Sequence, residues 1–262
     1  MKRDGHVHTP FCPHGSKDSL EAYVENALQK GITSISFTEH APLPEGFRDP
    51  APTKDSSMSL DTYYEYIEAV QALQDQYRDA PIDIRVGVEL DYISGWEQQT
   101  LSFLQTHGKS LQDIILSVHF IEVEGKWLCI DYDEEVFRTY VSLCGGIEEA
   151  YDRYFQTVEK SIRADFGDHQ PPRIGHLTLI RKFKKNFPVS FEWEEKAFEL
   201  LHLMKTRNLA LDYNSAGLRK PLCGETYPSP FLLQAAQKMR IPIVYGSDAH
   251  CAKDVGSFFD KL

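Results

Sequence analysis

GHVHTPFCPHGSKDSLEAYVENALQKGITSISFTEH, residues 5–40, has the pattern of a β-α-β unit. Residues 5–9 are a short strand candidate. From 19 to 30 the apolar residues Leu20, Tyr23, Val24, Ala27 and Leu28 recur at helical spacing and share one face. Asp18, with Glu21 three residues on, has the form of a capping box, and Gly31 is a natural terminator. Residues 33–38 then form a second strand. The alternation continues to the end of the chain. Further strands are expected over 82–90, 113–120, 173–177, 209–213 and 241–246. Helices are expected over 60–77, 148–165, 192–207 and 229–239. Repeated β-α units favour a parallel sheet with right-handed connections. About seven strands suggest a TIM-barrel-like closure slightly short of the eight-stranded standard. An open doubly wound sheet is the other topology that this alternation allows. No linker, repeat or low-complexity tract divides the chain, so 1–262 is read as a single domain.

Composition narrows the class. Hydrophobic residues make up 42% and charged residues 26% of the 262 residues, as in an ordinary globular protein. The net charge of −11 lacks the basic balance of proteins that coat nucleic acid or a membrane surface. An anionic substrate stays open, because bulk charge is screened beyond about 8 Å and bound cations reverse the local sign. The cysteines, Cys12, Cys129, Cys144, Cys223 and Cys251, are odd in number and show no C-x-x-C pair. A reducing compartment fits them better than a disulfide framework. No segment reads as a signal peptide or a bilayer span, and the expected location is cytoplasmic.

The ends of the expected strands carry the chemistry. His6 and His8 are two apart on the first strand, which puts both imidazoles on one face. His14 follows in the next turn. The second strand ends in His40, the third carries Glu89, the fourth His119 and the fifth His176. The last ends in G-S-D-A-H, with Asp248 and His250. Seven of the ten histidines fall in this pattern; His107, His169 and His202 do not. A lone strand histidine is usually a satisfied core or surface residue. Asp248 alone reads as a helix cap, and Glu89 alone as a buried, paired carboxylate. A hydrophobic strand gains nothing from ending in imidazole, however, and that choice made repeatedly points to metal coordination at the C-terminal end of a barrel. Many imidazoles with few carboxylates suit zinc, iron or manganese better than calcium or magnesium.

Two connections are long. Residues 41–59 hold four prolines, and residues 214–230 hold Arg219, Lys220 and three more prolines. Each is either a functional wall or lid, or an ordinary surface excursion. Arg219 and Arg181 are candidates for phosphate contact, since guanidinium matches phosphate oxygens in bidentate fashion; the alternative is a solvated arginine. Cys12 and Cys251 neighbour the histidine motifs, either as reactive thiols or as small packing residues.

The segments D-G-H-V-H-T-P-F-C-P-H-G, S-F-T-E-H-A-P-L-P, G-V-E-L-D-Y, L-S-V-H-F, G-H-L-T-L-I, D-Y-N-S-A-G-L-R-K and Y-G-S-D-A-H span essentially the whole chain. Together they resemble the polymerase-and-histidinol-phosphatase (PHP) family. H-A-P-L-P and N-S-A-G-L-R point to its histidinol-phosphatase branch. The resemblance implies a distorted (β/α)7 barrel with three divalent ions of zinc, iron or manganese. The first would take His6, His8, Glu89 and Asp248; the second Glu89, His119 and His176; the third His14, His40 and His250. Glu89, Asp248 and His250 are the expected catalytic set. The implied reaction is hydrolysis of L-histidinol phosphate by metal-bound hydroxide, without a phosphoenzyme, in histidine biosynthesis. The implied partner is thus a small phosphate monoester, with no nucleic acid and no membrane. Another phosphoesterase of the same family, a phosphodiesterase or exonuclease, is the alternative.

Overall fold

The strands run, in chain order, β1 (Arg3–Val7), β2 (Ser34–His40), β3 (Asp83–Asp91), β4 (Asp113–Ser117), β5 (Phe120–Val123), β6 (Lys126–Cys129), β7 (Arg173–Ile174), β8 (Ala210–Asn214) and β9 (Ile243–Gly246). In this computed structural model, which describes residues 2–261, seven of them form one parallel sheet in the order β1-β2-β3-β4-β7-β8-β9. The two edges meet. Val7 bridges Ala249 in parallel, His8 N donates to Ala249 O at 2.9 Å, and Asp248 N donates to His6 O at 2.7 Å. The buried Asp4 carboxylate strengthens the seam by accepting from Ser247 N and Gly256 N. A nearly closed seven-stranded barrel results, as expected; the open sheet is excluded, and closure leaves no long unpaired edge.

Helices wrap the outside: α1 (Leu20–Gln29), α2 (Leu60–Gln76), α3 (Glu97–His107), α4 (Glu134–Cys144), α5 (Ile147–Arg163), α6 (Glu194–Thr206), the short α7 (Ala216–Arg219) and α8 (Pro230–Lys238). Their apolar faces cover the strands. In α1 these are Leu20, Tyr23, Val24 and Ala27. The expected capping box at Asp18 is absent. Ser19 is the extended residue before Leu20, and its side chain accepts from Ala22 N. Asp18 stands one position too early to cap. It accepts instead from Ser16 Oγ and from Ala252 N, tying the start of α1 to the far end of the chain.

The fourth expected strand is broken. β4 stops at Ser117, and Phe120 opens an antiparallel hairpin of β5 and β6. Glu124 and Gly125, both at positive φ, make its two-residue turn, the conformation that matches strand twist in hairpins. The break places His119 between barrel and hairpin. The hairpin carries a small second core in which Phe120, Cys129, Ile93 and Ala51 are buried against Phe47, Trp96 and Trp127. β3 and β4 approach closely at Gly87, where an added Cβ would lie 2.3 Å from the Asp113 carbonyl oxygen. Among the described residues no helix is long and apolar enough to cross a membrane. All five cysteines are free thiols.

Candidate metal centre

The strand ends bring all nine expected donors to one place. Glu89 stands at the middle. Its Oε2 lies 3.3 Å from His6 Nε2, 3.5 Å from His8 Nε2 and 3.3 Å from His40 Nδ1. Its Oε1 lies 2.9 Å from His176 Nε2 and 3.9 Å from His119 Nε2, and accepts from Ser117 Oγ. Asp248 Oδ1 approaches His8 Nε2 at 3.3 Å. On the outer side His14 Nε2 faces His250 Nε2 at 3.2 Å, and the His14 and His40 rings are 5.2 Å apart. His6 and His8 are fully buried beneath the others. His14, His40, Glu89, His119, His176, Asp248 and His250 line a cavity of about 500 Å³ above them.

Three histidines are aimed by buried carboxylates that the sequence reading did not single out. His6 Nδ1 lies 3.0 Å from Asp212 Oδ2, His8 Nδ1 3.0 Å from Glu39 Oε1, and His119 Nδ1 2.6 Å from Asp91 Oδ1. A carboxylate accepts, so each Nδ1 carries a proton and each Nε2 is the nitrogen turned toward the centre. Glu39 is fully satisfied, accepting also from Thr9 N, Thr9 Oγ1 and His40 N. Asp212 is held from behind by the buried Arg173 guanidinium at 3.7 Å, which also donates to Asp113.

This donor set fits divalent transition ions. Among the described residues His6 Nε2, His8 Nε2 and His40 Nδ1 are buried without a hydrogen-bond partner, which is costly unless a cation binds them. Two imidazole nitrogens facing each other at 3.2 Å, as in His14 and His250, suit a shared ion. Donor atoms of His6, His8 and Asp248 lie within 4.8 Å of one another, as do those of Glu89, His119 and His176. A third such group joins His8, His40 and His250 with Cys12. Burial and the neighbouring Glu39 carboxylate push the Cys12 thiol well above its ordinary pKa, and Cys12 does not line the cavity.

The electrostatics are those of tightly coupled acids and bases. Burial opposes ionisation of Glu89 and Asp248, yet His6 and the other nearby imidazoles hold both well below the usual carboxylate range. Burial likewise opposes charge on His8, but Asp248 and Glu39 raise its pKa to about 9. Burial and the neighbouring His8 push His40 and His250 well below the ordinary value, which leaves them neutral donors.

The two arginines part company. Arg219 lines the cavity, whereas Arg181 does not. Arg181 pairs with Glu225 and lies over the Trp193 ring at 4.3 Å. The 3-10 turn Leu179–Phe183 sends the next residue, Lys182, into the cavity instead, where its Nζ meets Asp131 Oδ2 at 2.9 Å. Lys220 also lines the cavity, where burial and the neighbouring Lys182 hold its pKa below the ordinary lysine value.

The chain matches the PHP domain model over residues 4–216 and the PHP-associated model over residues 232–259. It is 46% identical to the histidinol-phosphatase of Bacillus subtilis (strain 168), covering 100% of this chain and 98% of that one. It is 35% identical to a probable histidinol-phosphatase of Deinococcus radiodurans, covering 98% and 89%. Its fold superposes with a TM-score of 0.95 on the crystal structure of a histidinol phosphatase candidate from Listeria monocytogenes, at 38% identity and full coverage of both chains. A histidinol phosphate phosphatase from Lactococcus lactis, solved with zinc, L-histidinol and phosphate, shares the fold at a TM-score of 0.70 and 22% identity, covering 96% and 87%. By its motifs, its barrel and these full-length likenesses, the chain belongs to the PHP family, in the histidinol-phosphatase branch.

Proposed function

We propose that this chain hydrolyses L-histidinol phosphate to L-histidinol and inorganic phosphate, as a metal-dependent phosphatase of histidine biosynthesis in the cytoplasm. The observation that carries the reading is the surrounding of Glu89 by five imidazoles within 3.9 Å, on the floor of a cavity sized for a small molecule. Full-length identity of 46% to a histidinol-phosphatase supports the substrate.

Three ions of zinc, iron or manganese would be held by His6, His8, Glu89 and Asp248; by Glu89, His119 and His176; and by His14, His40 and His250. Bound there, such ions would lower the pKa of a water and neutralise phosphate charge. The remaining work falls to the side chains. Glu89 is shared between two sites, and Asp248 and His250 connect the first to the third. Asp212, Glu39 and Asp91 keep Nε2 of His6, His8 and His119 facing inward. Lys220 on the cavity wall meets the phosphate dianion, with Arg219 beside it. Asp131 is kept ionised by Lys182 despite its burial, and accepts from the ammonium end of the substrate. No phosphoenzyme is needed: Cys12, the thiol nearest the cluster, is fully buried and does not line the cavity.

The test is a comparison of substrates with metal-replete protein. Phosphate release from L-histidinol phosphate should exceed release of nucleotides from an oligonucleotide by orders of magnitude. Faster turnover of the oligonucleotide would favour the phosphodiesterase reading instead.

A further inference from the structure

The segment between β2 and α2, residues 41–59, is fastened from both ends of its bend. Phe47 inserts its ring among Trp96, Phe120 and Trp127, at centroid distances of 5.5, 5.7 and 5.2 Å. Ala51 beside it is fully buried. Asp49 closes the rest of the bend. Its Oδ1 accepts from Ala51 N at 2.8 Å and from Ser56 Oγ at 3.0 Å, and its Oδ2 accepts from Ser56 N at 3.0 Å. These bonds fix the peptide at Asp55, whose carbonyl accepts from His14 Nδ1 at 2.8 Å.

That last bond distinguishes His14 from its neighbours. His6, His8 and His119 are aimed by carboxylates set in the barrel strands. His14 is exposed, lies in a turn, and is aimed by a loop carbonyl. A carbonyl only accepts, so Nδ1 is protonated and Nε2 faces His250. We infer that Asp49 and Phe47 are positioning residues for the third ion: together they set the Asp55 carbonyl, and through it the tautomer and aim of His14. The segment is then a strut that acts on the third ion through His14 alone. Neither Asp49 nor Phe47 lines the cavity, so neither touches substrate. The inference rests on the metal-centre reading above, but not on the identity of the substrate.

The experiment uses the full chain loaded with zinc, a graded chelator, and native mass spectrometry to count ions. Wild type should hold three. Asp49→Asn removes one acceptor face of the carboxylate, and Phe47→Ala removes the ring. Each should release one ion at a chelator concentration about 10–100-fold lower, the size of effect seen when the partner of a metal-binding histidine is lost. The other two ions should leave as in wild type. Phe47→Tyr should restore the third. In a His14→Ala background, Asp49→Asn should add nothing further, as expected for two changes acting through one contact. Retention of all three ions through Asp49→Asn, or equal loosening of all three, overturns the inference and leaves the substrate reading standing. A wild-type chain that holds no zinc overturns both.

Discussion

Arg219 donates from Nη2 to the main-chain carbonyls of Ser247 and Asp248, at 2.8 and 2.9 Å, and Asp248 sits at φ +52°. A non-glycine residue in the left-handed region stores roughly 1–3 kcal/mol of strain, and such strain persists only where the surroundings over-determine it. Here the strain turns the Asp248 carboxylate back onto His8. Arg219, itself 3.4 Å from Asp254, braces the turn. Arg219→Lys keeps the charge but cannot bridge two carbonyls. It should lower kcat/KM by about 10–100-fold, the scale of a lost supporting contact, with little change in melting temperature. Near-wild-type kinetics in this variant would mean that charge alone matters.

Glu89 joins both halves of the centre, so its loss should not be local. Glu89→Gln is nearly isosteric but neutral. Elemental analysis should find fewer bound ions, and phosphate release should fall by more than about 100-fold, beyond the loss typical of supporting residues. A variant with full metal content and full rate would remove Glu89 from its bridging place.

Much of this centre was legible in the sequence because strand geometry is regular. Period-two spacing put His6 and His8 on one face, and barrel topology gathers strand ends at one rim. The supporting carboxylates were harder to see. Asp212 meets His6 across 206 residues of chain, a contact that no local spacing encodes. Asp91 left one trace, standing two residues after Glu89 and so on its face of β3. Asp212 left another, an acid within the otherwise apolar start of β8. Arg181 and Lys182 are neighbours, and only the 3-10 turn decides which enters the cavity. The hairpin was hidden because Phe120 continued the apolar run of β4, although Glu124 and Gly125 supplied its turn.

The Asp131–Lys182 pair makes a pH prediction. Burial alone would raise the Asp131 pKa, but Lys182 and the nearby His119 outweigh it and hold the carboxyl below its ordinary value of 3.8. A group whose folded pKa is depressed contributes stability above its unfolded pKa and loses that contribution as pH falls through the folded one. Asp131→Asn should therefore cost on the order of 1–2 kcal/mol in urea unfolding at pH 7. That difference should stay level down to pH about 4 and shrink only below it. A difference already gone at pH 5.5 would show a raised pKa, contrary to the ion pair.

Packing around His6 makes a stability prediction. A Cβ built on Gly246 would lie 2.6 Å from His6 Cβ and 2.7 Å from Asp212 Oδ1. Gly246→Ala must push apart the imidazole and the carboxylate that aims it. It should destabilise the fold by about 1–3 kcal/mol, as overpacking does, and weaken zinc retention with it. Unchanged thermal unfolding and zinc content would show that β9 yields without disturbing the pair.

Nine side chains gathered at one end of the barrel, from strand ends and the turns that follow them, are expected to chelate several cations at one point. Diffraction from crystals of the zinc-replete protein, recorded above the zinc absorption edge, reads it directly. Three anomalous peaks are expected around Glu89, bounded by His6, His119, His176, Asp248 and the His14–His250 pair. An anomalous map with no peak there, or with peaks only at surface histidines such as His202, would contradict it.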